Sequence, residues 1–187
     1  EWLPRSEPRQ LSPKGSDYGA AFNVGGEVLA LIDGNSVKLM STDPWHELWS
    51  TVAHPQPLFA VAVSDNPDRL ATTSLDGQVY LWRSSNPRQP AITVPSRPAS
   101  PISMDARGQL MAFSGAANKI EIWDTETKQQ KYVLTASPVG VLAMRPDGKG
   151  VAWTINDGKQ VQVHDFARRS TKTLWTFDNP VMGLAYS

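Results

Sequence analysis

The sequence predicts an all-β fold, a β-propeller of about four four-stranded antiparallel blades, and three observations predict it. Alternating apolar segments close on a residue that recurs at a nearly fixed distance. Met40 ends VKLM, Trp82 ends VYLW, Trp123 ends IEIW and His164 ends VQVH, at successive spacings of 42, 41 and 41 residues. Within each segment the β-branched and apolar residues alternate at period two (Val37/Leu39, Val79/Leu81, Ile120/Ile122, Val161/Val163), which is the pattern of a strand. Turn chemistry built on Gly, Asp and Asn keeps step with the closing residues. A β-sandwich has strands at ordinary spacing but no reason to repeat its turns and closing residues at one period. A four-stranded unit of forty-odd residues is a propeller blade.

The elements follow in order. The first unit has an inner strand GAAF (19–22), a turn NVGGE (23–27), a hairpin divided by DGNS (33–36), and an outer strand LWSTV (48–52). The second runs LFAVAV (58–63), SDNPD (64–68), a hairpin divided by LDGQ (75–78), and AITV (91–94). The third runs PISM (101–104), DARGQ (105–109), a hairpin divided by AANK (116–119), and YVLT (132–135). The fourth runs VGVLAM (139–144), RPDGKG (145–150), a hairpin divided by NDGK (156–159), and LWTF (174–177). One inner strand, VMGLAYS (181–187), is left without a unit of its own. The propeller segment is thus expected over 17–187. Residues 1–16, with Pro4, Pro8 and Pro13, read as a linker or docking segment that Trp2 anchors. The chain starts with Glu1 rather than Met, so a processed or excised piece is expected.

Bulk properties exclude several function classes. Eighteen basic residues balance eighteen acidic ones, a poor electrostatic footprint for nucleic acid or an anionic membrane. No cysteine is present, so there is no thiolate nucleophile, zinc–thiolate site or disulfide framework. The longest apolar run, LFAVAV, is far short of the ~18 residues that a membrane-spanning helix needs. The compartment is left open, with the cytoplasm favoured.

The unit from His54 to Trp82, HPQPLFAVAVSDNPDRLATTSLDGQVYLW, resembles the repeat of the WD-repeat β-propellers, and the likeness extends over nearly all of 17–187. Ala53-His54 stands where that family has Gly-His, Pro57-Leu58 at its strand start, and Trp82-Arg83 at its Trp-Asp. Trp123-Asp124 is a true Trp-Asp pair, and His164-Asp165 keeps only the Asp. The resemblance implies that His54, Ser74, Asp76 and Trp82 form the family's structural hydrogen-bond tetrad. In other units Ala117 and Gly158 stand at the Asp position, and Pro95 and Thr135 at the His position. One blade is therefore expected to hold the full network, and three to hold together by apolar packing and backbone ladders alone.

Ser74, His54 and Asp76 also carry the groups of a Ser/His/Asp hydrolase site, which is recognised by geometry rather than chain order. The structural reading is preferred because it explains Trp82 and the registration with the repeat. His46, His54 and His164 fall in different repeat phases, so no pair has metal-ligand spacing. The Asp/Asn/Gly turns lack the dense carboxylates of a calcium cage. ARRSTK (167–172) reads as a solvated basic loop, and Trp45, Trp49 and Trp175 as outer-strand or inter-blade packing residues. No catalytic residue, metal ligand or cofactor is expected, nor is an enzyme.

The function expected is a non-catalytic scaffold for protein–protein interaction. By resemblance, partners meet the face built by the loops entering each inner strand and by the short turns dividing each hairpin. Its exposed polar candidates are Arg97, Asn118, Lys119, Asn156, Asp157, Lys159 and Asp178. The alternative is a sensor or regulatory propeller of a larger multidomain effector or enzyme. An enzyme or small-molecule binder using the central channel is disfavoured, because the inner strands carry almost no polar groups. The resembled family usually has seven blades or more, and an open arc of four leaves two apolar faces bare. At ~25 cal/mol/Å², covering several hundred Å² on each is worth on the order of 10 kcal/mol at most. The arc is therefore expected to be completed by the rest of a larger propeller or by a second copy.

Overall fold

The structure is a computed structural model and describes residues 19–136 and 138–186. The linker expected over 1–16, Trp2, the start of the propeller segment at 17 and Ser187 lie outside the described residues.

Among the described residues, sixteen strands form four antiparallel sheets, each ordered as in sequence from inner to outer strand. Blade 1 holds β1 (Ala20–Phe22), β2 (Val28–Asp33), β3 (Ser36–Thr42) and β4 (Trp45–Val52). Blade 2 holds β5 (Leu58–Val63), β6 (Arg69–Ser74), β7 (Gln78–Arg83) and β8 (Ile92–Pro95). Blade 3 holds β9 (Ile102–Met104), β10 (Leu110–Ser114), β11 (Lys119–Asp124) and β12 (Gln129–Thr135). Blade 4 holds β13 (Leu142–Met144), β14 (Gly150–Ile155), β15 (Gln160–Asp165) and β16 (Ser170–Thr176).

The repeat is kept down to the register. The four closing residues stand opposite equivalent partners: Met40 with Leu29, Trp82 with Leu70, Trp123 with Met111 and His164 with Val151. The turns from first to second strand also share one geometry, since the N–H of Asn23, Ser64, Asp105 and Arg145 donates to the carbonyl five residues on. In blade 3 this turn requires glycine at position 108. Its φ is 67°, and a Cβ there would stand 2.7 Å from Ser64 Oγ of the neighbouring blade.

Successive residues of a strand point to opposite faces, and each blade uses both. Val28, Ala30, Ile32, Val37 and Leu39 of blade 1 meet Leu58, Val61, Val63, Leu70 and Trp82 of blade 2. The opposite face of blade 2, with Ala71, Val79, Leu81 and Val94, meets Ile102, Met104, Met111 and Phe113 of blade 3. Blade 3 then gives Ala112, Ile120 and Ile122 to a third seam with Leu142, Met144, Val151 and Trp153. The core therefore lies between blades, and among the described residues no buried cluster joins blade 4 to blade 1.

Residues 177–186 form no ladder, which corrects the expected inner strand over 181–187. A strand needs a partner for its N–H and C=O row, and among the described residues no strand runs beside this segment. Leu184, Ala185 and Tyr186 instead line a cavity of about 380 Å³ at the axis, shared with all four inner strands. The cavity lining is aliphatic and aromatic apart from Ser103 and the Tyr186 hydroxyl, and it holds no carboxylate, imidazole or amine.

Because the seams hold the blades, truncation inside one should cost far more than truncation outside. Phe113→Ala removes a fully buried ring and is expected to lower unfolding free energy by about 3–5 kcal/mol. Leu174→Ala, at a side chain nearly half exposed, should change it by less than about 1 kcal/mol. Urea unfolding followed by circular dichroism measures both.

Candidate functional site

Two places in the fold concentrate polar groups: a buried chain inside blade 2 and the loop-lined face. In the buried chain, Trp82 Nε1–H donates to Thr72 Oγ1 at 2.9 Å. Thr72 Oγ1 in turn lies 2.9 Å from His54 Nε2, and His54 Nδ1 lies 2.9 Å from Asp76 Oδ2. A neutral imidazole with its proton on Nδ1 satisfies every member: it donates to the carboxylate and accepts the Thr72 hydroxyl proton. Burial supports that state, because desolvation pulls the His54 pKa below its usual 6.5 despite the Asp76 carboxylate beside it. Asp76 Oδ1 accepts the Gln78 N–H at 2.8 Å, so its turn is fixed as well. The imidazole also stacks on the Tyr80 ring, with centroids 4.0 Å apart.

Three of the four sequence-predicted members meet in this chain, and Ser74 does not. Trp82 stands opposite Leu70, so its indole reaches diagonally to Thr72, two residues along the strand, and Ser74 is two residues too far. Ser74 is buried at the strand end and bonds the carbonyls of Pro57 (2.9 Å) and Gln56 (3.1 Å). Its Oγ also accepts the Asp76 N–H at 3.2 Å. The signal for Thr72 is present in the sequence: LATTS alternates, and Thr72 lies on the same face of the strand as Ser74.

The same geometry bears on the hydrolase reading. The hydroxyl on His54 belongs to Thr72, which is wholly buried and already holds the Trp82 proton. No substrate carbonyl has room to approach it. Ser74 is directed at backbone carbonyls rather than at the imidazole.

The other blades are not held by apolar packing and backbone ladders alone, contrary to expectation. Asn23 Oδ1 accepts the Val28 N–H at 2.9 Å in blade 1, and Asp105 Oδ1 the Leu110 N–H at 2.7 Å in blade 3. Buried Arg69 of blade 2 crosses the seam to the Gly108 carbonyl (2.9 Å), to Thr125 Oγ1 (2.8 Å) and to the Glu126 carboxylate. Arg83 holds the other Glu126 oxygen at 3.2 Å. Asn23 and Asp105 open the recurring turns NVGGE and DARGQ, whereas Arg69 and Glu126 belong to no repeated motif. His164, in the Trp phase, packs beside Phe166 and bonds Thr171 Oγ1 at 2.9 Å.

On the loop-lined face, Asn118, Asn156 and Asp157 are exposed in left-handed turns, with φ of 57°, 50° and 55°. Lys119 opens β11, Lys159 precedes β15 and Asp178 follows β16, all exposed. Arg97 is the exception. It is half-buried, and its Nη2–H donates to the Val139 carbonyl at 2.6 Å, which makes it a strut between two adjacent loops rather than a free charge. Of the tryptophans, Trp49 packs against the first seam, while Trp45 and Trp175 are largely exposed.

Thr72→Val would leave His54 Nε2 and Trp82 Nε1 buried without partners, and is expected to cost about 2–4 kcal/mol. Ser74→Ala should cost about half as much. For His54 the folded pKa lies below the unfolded 6.5, so its stabilising effect is complete above that value and is lost as pH falls through the folded pKa. Burial raises the Asp105 pKa, which acts with the opposite sign, so His54→Gln is the needed comparison. Wild-type stability should drop between pH 6.5 and 5 more steeply than that of His54→Gln, in urea titrations at each pH.

No family model matches the sequence, and no curated protein matches it. Solved structures do. A structure of U3-55K superposes with a TM-score of 0.71 at 11% identity, covering 87% of this chain and 53% of that one. A crystal structure of the RRP9 WD40 repeats gives 0.70 at 11% identity, covering 87% and 52%. The chain spans about half the length of these structures. At such identity the likeness is one of fold, and with four four-stranded sheets in register it is specific: the chain has the WD40-repeat β-propeller fold, in four blades.

Proposed function

We propose that the chain is a non-catalytic scaffold that binds protein or peptide partners on its loop-lined face, in a ring completed by further blades from flanking chain or from a second copy. The observation that carries this reading is a fixed backbone beneath exposed polar side chains. The Asn118 carbonyl accepts the Ala136 N–H at 2.8 Å, and the Lys159 carbonyl accepts the Phe177 N–H at 2.8 Å. The Gly158 carbonyl takes the Val181 N–H at 3.0 Å. Each short turn is thereby tied to the loop beside it. Asn118, Lys119, Asn156, Asp157, Lys159 and Asp178 stand exposed on this frame, and none of their side chains takes part in a seam. A surface whose backbone is ordered before binding loses little entropy when a partner arrives. The fold supports the reading, since propellers offer rigid discs with variable loops, but function rests on the site.

Panning a random peptide library on the folded chain tests the proposal. Selected peptides should lose at least tenfold in affinity for the double variant Lys119→Glu/Lys159→Glu, by fluorescence anisotropy. They should keep it for Lys149→Glu, on the opposite face. Peptides indifferent to the first pair, or sensitive only to Lys149, would overturn the assignment of this face.

A further inference from the structure

We infer that the loop-lined face has an apolar anchor point on blade 2, built by Phe59, Leu75, Pro55, Pro57 and Pro98, and that it takes an uncharged aromatic side chain of a peptide partner. The inference deepens the proposed binding reading and rests on it. Phe59 is placed by a break in the ladder. Leu58 stands opposite Ser74 and Ala60 opposite Thr73, so Phe59 is the extra residue of a bulge, a device that re-aims a side chain. Thr73, Ser114 and Thr154 each lie three residues beyond the partner of the closing residue. The N–H of Ser114 donates to the Pro101 carbonyl and that of Thr154 to the Val141 carbonyl, so Ser100 and Gly140 hold the place of Phe59 in blades 3 and 4. Ser100 is wholly buried and Gly140 has no side chain, whereas Phe59 is 47% exposed. Blade 2 has a blade on either side, so this is not the exposure of an end of the arc.

The other four residues adjoin it. Leu75, 49% exposed, donates its N–H to the Pro57 carbonyl at 3.1 Å. The Ser96 N–H donates to the Gly77 carbonyl at 2.8 Å, and ring atoms of Pro98 lie 3.7 Å from where a side chain on Gly77 would start. Pro55, Pro57 and Pro98 are all exposed. The chemistry of the patch selects its occupant. The charged groups beside it are engaged: Asp76 by His54, Asp33 by Lys38 at 3.0 Å, and Arg97 by the Val139 carbonyl. The prolines have no N–H, and the N–H groups of Leu58, Leu75 and Gly77 donate to backbone carbonyls, so an anionic segment finds no donor there. An aromatic ring laid on Phe59 and the proline rings buries a large apolar area at low cost in side-chain freedom. Residues 1–17 of the chain itself match poorly, because the charges of Glu1, Arg5, Glu7, Arg9, Lys14 and Asp17 would lose water there without gaining a partner. A second copy matches poorly in size, since five side chains cover far less than the ~800 Å² per partner of a standard interface.

Peptides panned on the wild-type chain are the probe. They should share an aromatic residue with no charged neighbour, and lose at least tenfold in affinity for Phe59→Ala and for Leu75→Ala, by fluorescence anisotropy. Both variants should keep the wild-type far-ultraviolet circular dichroism spectrum. Val133→Ala, at a comparably exposed apolar residue of β12, should bind as the wild type does. Alanine in place of the peptide's aromatic residue should cost as much, and little more when combined with Phe59→Ala. Peptides sensitive to Lys119→Glu/Lys159→Glu but indifferent to Phe59→Ala and Leu75→Ala leave the face in place and overturn the anchor. A library without binders overturns the face itself, and the anchor with it. Affinity that rises tenfold in Trp2→Ala assigns the patch to the chain's own first residues, and a concentration-dependent mass abolished by Phe59→Ala assigns it to a second copy; either result overturns the inference.

Discussion

Every feature of this molecule depends on one constraint: a blade has no core of its own. In blades 2 and 3 the two middle strands are apolar on both faces, and each face is covered by a different neighbouring sheet. Leu70 and Ala71 are adjacent in β6 and both wholly buried, yet they belong to different seams. The outer strands, reached by a neighbour only at alternate positions, remain exposed: β4, β12 and β16 are mostly solvent-facing. Apolar residues on outer strands are thus an outcome of radial geometry rather than a defect of packing.

Apolar seams are non-directional and would let blades slide, so polar links must set the register between them. On the face opposite the short turns these links form a series. The Gly25 N–H donates to Asp65 Oδ1, the Asp65 N–H to the Ala106 carbonyl, and the Ala106 N–H to the Pro146 carbonyl. Each crosses one seam at an equivalent position. Arg69 adds a deeper bolt between blades 2 and 3, while Tyr132 and Phe166, stacked with centroids 4.4 Å apart, serve the seam between blades 3 and 4. The His54 chain differs from these links, because it binds loop to hairpin within one blade. Blades whose polar links differ can share one backbone because the ladder and the turns already define it.

The fold and part of the buried chain were legible in the sequence, for reasons that individual residues make plain. Met40, Trp82, Trp123 and His164 share a register position because the period of the chain is the period of the blade, and such periodicity survives large changes in composition. Thr72 and Ser74 are hard to tell apart in sequence because both lie on one face of one strand, and only the diagonal reach of the Trp82 indole separates them. Arg69 and Glu126 could not be paired in advance, since 57 residues part them and neither belongs to a motif. Arg97 reads as a free charge because its contact, a carbonyl in the next blade's loop, carries no side-chain signature. Residues 181–186 keep the inner-strand pattern without forming the strand: alternation states which face a residue prefers, but a ladder also needs a partner row of N–H and C=O groups.

The separation of seams from loops explains why the repeat says so much about fold and so little about partner. In the short turns of blades 3 and 4, the backbone carbonyls of Asn118, Gly158 and Lys159 carry the bonds to the neighbouring loops, and the exposed side chains there take part in no seam. The first-to-second-strand turns are different, because Asn23, Asp65 and Asp105 use their carboxylate or amide oxygens to hold the frame. Substitution is therefore limited by bonded side chains on one face, and on the other chiefly by the left-handed φ of Asn118, Asn156, Asp157 and Gly158. A surface that can change its side chains without disturbing three seams is the one on which recognition can be built, and it is the face that Lys119, Asn156, Asp157 and Lys159 share.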